Sequence, residues 1–133
     1  MNKKIKIMLI DDNKIDLFIH SQFINQMNIA NSILEFSLAT EALKYLQENG
    51  ELNWPDLILT DIHMPSMTGF DFVNEFELLP ISLKEKCKII MVSSSLFDGD
   101  EMRAKENPRI LTLMDKPINP VEFRKLLEVE NII

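Results

Sequence analysis

At 133 residues and 46% hydrophobic content, the chain is long enough for one domain with its own core and too apolar for disorder. Fourteen basic against 21 acidic residues leave a net charge of −7, which disfavours general binding to nucleic acid or anionic membrane, because phosphate contacts need Lys and Arg. The single cysteine, Cys87, excludes an internal disulfide and a cysteine-based zinc site.

Met1 to Ile10 opens with lysines and turns apolar, but the apolar part is too short for a secretory leader and runs straight into Asp11-Asp12. Ile5 to Ile10 reads instead as a first strand. Asn13 to Asn28 is a helix, with Ile15, Phe18, Ile19, Phe23 and Met27 predicted on its apolar face and Asp12 or Asn13 as its cap. Ile33 to Leu38 is a second strand. Thr40 to Asn49 follows as a helix, with Gly50 as its stop. Trp54-Pro55 breaks the chain before a third strand, Leu57 to Thr60. Pro65 to Gly69 is a loop, and a third helix opens on Phe70 and Val73 and ends before Pro80. Ile89 to Val92 is a fourth strand. Asp98-Gly99-Asp100 opens a short polar helix that ends near Asn107-Pro108. Ile110 to Met114 is the fifth strand. Asn119-Pro120 caps a last helix carrying Val121, Phe123, Leu126 and Leu127.

Strand and helix alternate throughout, which predicts right-handed βαβ crossovers and a parallel sheet. The nearly continuous apolar strands agree, since helices would cover both faces. No run is long enough to span a membrane. A single domain over 1–133, without an output domain, in a reducing cytoplasm is the expectation.

In such a sheet the strand carboxyl ends lie side by side, and ligands bind outside them. Asp11-Asp12, Asp61, Ser93 and Lys116 all follow strands. Each has an ordinary explanation alone: a helix cap, a turn aspartate, a strand-end hydroxyl, a surface lysine. Ser94 and Ser95 also leave the serine register open by one residue. Jointly they point elsewhere. Three carboxylates a few ångström apart repel by about 3 kcal/mol per pair at an effective dielectric near 20, a placement that calls for a cation. Hard oxygen ligands select Mg²⁺, with Mn²⁺ as the alternative. An aspartate beside such a metal can act as a nucleophile toward phosphorus, and a lysine can neutralise the equatorial oxygens. His20 and His63 share no metal-ligand spacing.

These residues resemble the response regulator receiver domains of two-component signalling. The carrying motifs are Asp11-Asp12, the run Asp56 to Pro65 with Asp61 inside it, Thr68-Gly69-Phe70, Val92-Ser93-Ser94 and Lys116-Pro117, in the family's order and spacing. The resemblance implies a flavodoxin-like receiver fold, a five-stranded parallel sheet of order 2-1-3-4-5 with helices on both faces. It implies Asp61 as phosphoacceptor, Asp12 as direct metal ligand, Asp11 as its supporting partner, and the His63 backbone carbonyl as a further Mg²⁺ ligand. Ser93 would swing toward the phosphoryl group, Lys116 would pair with it, and the Lys116-Pro117 bond would be cis. The donor would be a sensor histidine kinase or a histidine phosphotransfer protein. The output would be a protein target contacted through the last two helices and the fifth strand, with no nucleic acid bound and no membrane insertion. The protein would be a phosphoacceptor, not an enzyme acting on other substrates.

Leu113 stands where the family usually carries Tyr or Phe, which puts the usual switch readout in question. Asn107-Pro108-Arg109 replaces a common Gly-Ala pair, and the His63 side chain either overlooks the phosphoryl group or faces solvent. A phosphorylation-independent interaction module on the same fold is the alternative. Asp11-Asp12-Asn13-Lys14 lacks the Asp-x-Asp of haloacid-dehalogenase-like phosphatases and the Ser/Thr/Gly-rich loop of flavodoxins.

Overall fold

The computed structural model describes residues 3–133, so Met1 and Asn2 of the lysine-led opening lie outside it. Five strands, β1 (Ile5–Ile10), β2 (Ala30–Phe36), β3 (Leu57–Asp61), β4 (Lys88–Ser93) and β5 (Ile110–Asp115), form one sheet of order β2-β1-β3-β4-β5. All four pairings are parallel. The helices are α1 (Lys14–Met27), α2 (Ala39–Glu48), α3 (Gly69–Phe76), α4 (Ile81–Lys86), α5 (Asp100–Glu106) and α6 (Pro120–Val129). This is the flavodoxin-like order expected from the resemblance.

Side-chain alternation divides the core in two. Ile5, Ile7 and Leu9 of β1 point to one face and pack with Leu17, Ile24, Phe123 and Leu127 of α1 and α6. Met8 and Ile10 point to the other and pack with Ala42, Leu46, Phe72 and Phe76 of α2 and α3, with Leu83 and Ala104 in the same cluster. β1, β3 and β4 are therefore buried on both sides, and a continuous apolar run results. Each fully enclosed Phe contributes roughly 2–3 kcal/mol by removal from water.

Helix ends follow local chemistry. The Asn13 side chain accepts from Ile15 N and Asp16 N, so Asn13 is the cap of α1, and Asn28 closes the helix in the left-handed region at φ 57°. Thr68 and Asp71 form a reciprocal capping box on α3. Asn119 caps α6, with Pro120 in its first turn.

Several expectations are corrected. Strand β2 begins three residues early and ends at Phe36. Gly50 is no left-handed stop: α2 ends at Glu48, Asn49 is extended, and Gly50 takes φ −90°. Helix α4 had no counterpart in the sequence reading. It is a single short turn-and-a-half after Pro80, held by Leu83, and its other apolar residue, Ile81, is exposed. The inward face of α1 is Leu17, His20 and Ile24, while Ile15 and Phe18 are 70% and 63% exposed. Apolar residues occupy more than one side of α1, so periodicity alone could not orient it. Val121 is likewise exposed, leaving Phe123 and Leu127 to anchor α6. Among the described residues, no helix is long and apolar enough to cross a membrane.

Candidate phosphoacceptor site

The carboxyl ends of β1, β3, β4 and β5 bring the predicted residues together. Asp11 follows β1 and is buried, fixed by Asn13 N donating to its Oδ1 at 2.9 Å, while Asp12 beside it is exposed. Asp61 ends β3, buried, with Ile62 N donating to its Oδ1 at 2.8 Å. One carboxylate oxygen from each of Asp11, Asp12 and Asp61 lies within 4.8 Å of the others. Gly69 is what lets the chain close behind Asp61: its N–H donates to Ile62 O at 2.7 Å, and a Cβ there would strike the Asp61 carbonyl oxygen.

Lys116, just past β5, reaches into this cluster. Its Nζ lies 2.6 Å from Asp11 Oδ2, 2.9 Å from Asp16 Oδ2 and 3.3 Å from Asp61 Oδ2, with the side chain 6% exposed. Lys116 donates a hydrogen bond to Asp16. The contact to Asp11 is the shortest of the three, a buried ion pair, and among the described residues Asp11 Oδ2 has no further hydrogen-bond partner. Burial pulls the Lys116 ammonium down, but Asp11, Asp16 and Asp61 outweigh it and hold it above the ordinary lysine value. Burial, then the Asp11 charge, push the Asp61 carboxyl up against the opposing pull of Lys116. The Lys116-Pro117 bond is cis.

This donor set fits a hard divalent cation. Three carboxylates converge, and a single ammonium does not neutralise them. Asp11, Asp12 and Asp61 are the residues able to hold it. The His63 carbonyl belongs to the loop that leaves Asp61.

Ser93 is buried at the end of β4, and its hydroxyl donates to Ser95 O at 2.6 Å. The register question thus resolves to Ser93 as the buried hydroxyl, engaged within its own loop. The His63 side chain neither faces solvent freely nor stands alone over Asp61. Its Nε2 donates to the buried Asp100 Oδ2 at 2.8 Å, and its ring stacks on Phe97 at 3.8 Å between centroids. Asp100 also accepts from Phe97 N at 2.7 Å, so the β3–α3 and β4–α5 loops are tied together. Leu113 is half-buried and lines a groove between β5 and α5 with Leu96, Ala104 and Ile110.

Sequence reasoning missed Asp16, His20 and Asp100. Buried His20 Nε2 accepts from Ile118 N at 3.3 Å, and burial lowers its pKa. The available signal was the i, i+4 spacing of Asp16 and His20 on α1, which puts both on one face.

A response regulator receiver domain model matches residues 7–128. A probable histidine kinase 1 of Oryza sativa subsp. indica is 31% identical over 116 residues, covering 82% of this chain and 11% of that protein. The chain spans between 11% and 34% of the length of the first curated relatives it matches. The crystal structure of a response regulator receiver protein from Dyadobacter fermentans superposes with a TM-score of 0.84 at 29% identity, covering 93% of this chain and 95% of the other. A two component response regulator from Cytophaga hutchinsonii gives 0.86 at 25% identity, covering 96% and 97%. A match across nearly the whole sheet, ending beyond Lys116, identifies the chain as a member of the response regulator receiver domain family of two-component signalling.

Proposed function

We propose that the chain accepts a phosphoryl group on Asp61 from a phosphohistidine, presented by a sensor histidine kinase or a phosphotransfer protein. The observation that carries this is the convergence of Asp61 with Asp11, Asp12 and the Lys116 ammonium at the carboxyl ends of the strands. An Asp61 carboxylate oxygen attacks phosphorus; the P–O bond forms as the P–N bond breaks, and the electron pair leaves with the imidazole nitrogen. Lys116 offsets charge on the phosphoryl oxygens, and Ser93 turns from Ser95 O to donate to one of them. Asp11, Asp12, Asp61 and the His63 carbonyl would hold Mg²⁺, or Mn²⁺, which when bound would supply the remaining charge neutralisation. The altered charge biases the α5–β5–α6 surface toward a protein target. The chain is a phosphoacceptor without turnover on other substrates, acting in the cytoplasm.

The test is labelling by a small acyl phosphate with Mg²⁺. Wild type is expected to gain a base-labile phosphoryl group that Asp61→Asn does not; equal labelling of both removes the proposal. One observation favours a second reading, a phosphorylation-independent binding module. Leu113 leaves a groove where an aromatic would move. Partner affinity unchanged by a phosphoryl mimic would support that module instead.

A further inference from the structure

Lys116 is shared among three carboxylates, and the sharing is unequal. Asp11 lies nearest at 2.6 Å, Asp16 accepts a hydrogen bond at 2.9 Å, and Asp61 is the most distant of the three at 3.3 Å. Asp16 is not one of the three carboxylates that converge as a cation cluster. Among the described residues Lys116 is the only cation within ion-pair distance of it. Its backbone is fixed, since Asp16 N donates to the capping Asn13 at 3.1 Å. A carboxylate in the first turn is also favoured by the helix dipole, which helps hold the Asp16 side chain in place. One turn on, His20 fastens the same lysine segment through Ile118 N.

We infer that Asp16 is a positioning residue whose carboxylate holds the Lys116 ammonium on the α1 side of the site and competes with an incoming phosphoryl group for it. A cation on Asp11 removes one competitor for the ammonium, and Asp16 remains. Its negative charge therefore restrains Lys116 and raises the barrier to an anionic donor, which makes it a brake on phosphorylation. The inference rests on the phosphoacceptor reading of Asp61.

Asp16→Asn keeps the acceptor oxygen and removes the charge. At saturating Mg²⁺, its labelling by an acyl phosphate is expected to run about three- to tenfold faster than wild type, given the strength of charge interactions at this range. Asp16→Glu should return the rate toward wild type. In a Lys116→Ala background the gain should vanish, because Asp16 acts through that ammonium. A rate at or below wild type for Asp16→Asn overturns the inference, as does a gain that persists without Lys116. A donor-free measurement keeps the two ideas separate. Water exchange of the Lys116 ammonium protons, followed by NMR, should quicken in Asp16→Ala. Unchanged exchange overturns the hold on Lys116 whatever the labelling shows, whereas labelling of Asp61→Asn overturns only the phosphoacceptor assignment.

Discussion

Asp61 carries a carboxyl that the fold makes hard to ionise. Burial and the Asp11 charge raise its pKa above the unfolded value of 3.8, so the folded state binds its proton more tightly. Proton binding therefore stabilises the fold fully below 3.8, and that stability is lost as pH rises through the folded pKa. At neutral pH the metal-free protein bears the repulsion, and Asp61→Asn keeps the Oδ1 acceptor for Ile62 N while removing the charge. The variant is expected to melt higher in EDTA, by about 4 °C for a gain of roughly 1 kcal/mol in a chain of this size. Saturating Mg²⁺ should reverse the order, stabilising wild type by mass action and leaving the variant nearly unmoved. Thermal melts with and without metal read both effects, and a variant that melts below wild type in EDTA contradicts them. Asp11, Asp12, Asp61, Ser93 and Lys116 were legible in the sequence because each stands where an apolar strand stops. Asp16, His20 and Asp100 were harder to read, because a polar residue within a helix is usually solvated: the i, i+4 spacing sets Asp16 and His20 on one face, but only the folded contacts show that they meet Lys116 and Ile118 and that Asp100 meets His63.

At the scale of elements, strands and long helices declared themselves, since β1, β3 and β4 are buried on both faces and their runs are continuous. Helix α4 did not, because a six-residue helix with one buried side chain leaves no periodicity to read. The orientation of α1 was also illegible: exposed Ile15 and Phe18 look as apolar as the core-facing Leu17 and Ile24. The β3–α3 junction is more strictly determined. Gly69 begins α3 against the Asp61 backbone, and an added Cβ would meet the Asp61 carbonyl and, at 3.1 Å, Ile62 Cα. Neither is a flexible side chain that could move aside. Gly69→Ala should destabilise the protein by about 1–3 kcal/mol, as overpacking against backbone does. It should also slow acyl phosphate labelling, because relief of the clash displaces Asp61 itself. Urea unfolding together with labelling tests this. A variant that loses neither stability nor rate shows that the junction has slack.

For the molecule as a whole, the decisive closure joins α1 to the segment after β5, about a hundred positions later. Lys116 reaches Asp16, and Ile118 N reaches His20, across separations of 100 and 98 residues. His20 lies in this seam, facing the charges of Asp11, Asp16 and Lys116, and can accept from Ile118 N only as neutral imidazole. Burial lowers its pKa below 6.5, and the unfolded chain then binds more protons than the folded one in that range. Its contribution is present above 6.5 and is lost as pH falls from there toward the folded pKa. Asp61 titrates with the opposite sign, so the cleaner comparison is made in the Asp61→Asn background without metal. There the urea midpoint should fall between about pH 7.5 and about pH 5.5, on either side of the ordinary histidine range. His20→Gln offers Ile118 N an uncharged acceptor that does not titrate, and it should flatten the fall. An equal fall in both proteins would place the pH sensitivity in other groups and leave the α1 seam as packing alone.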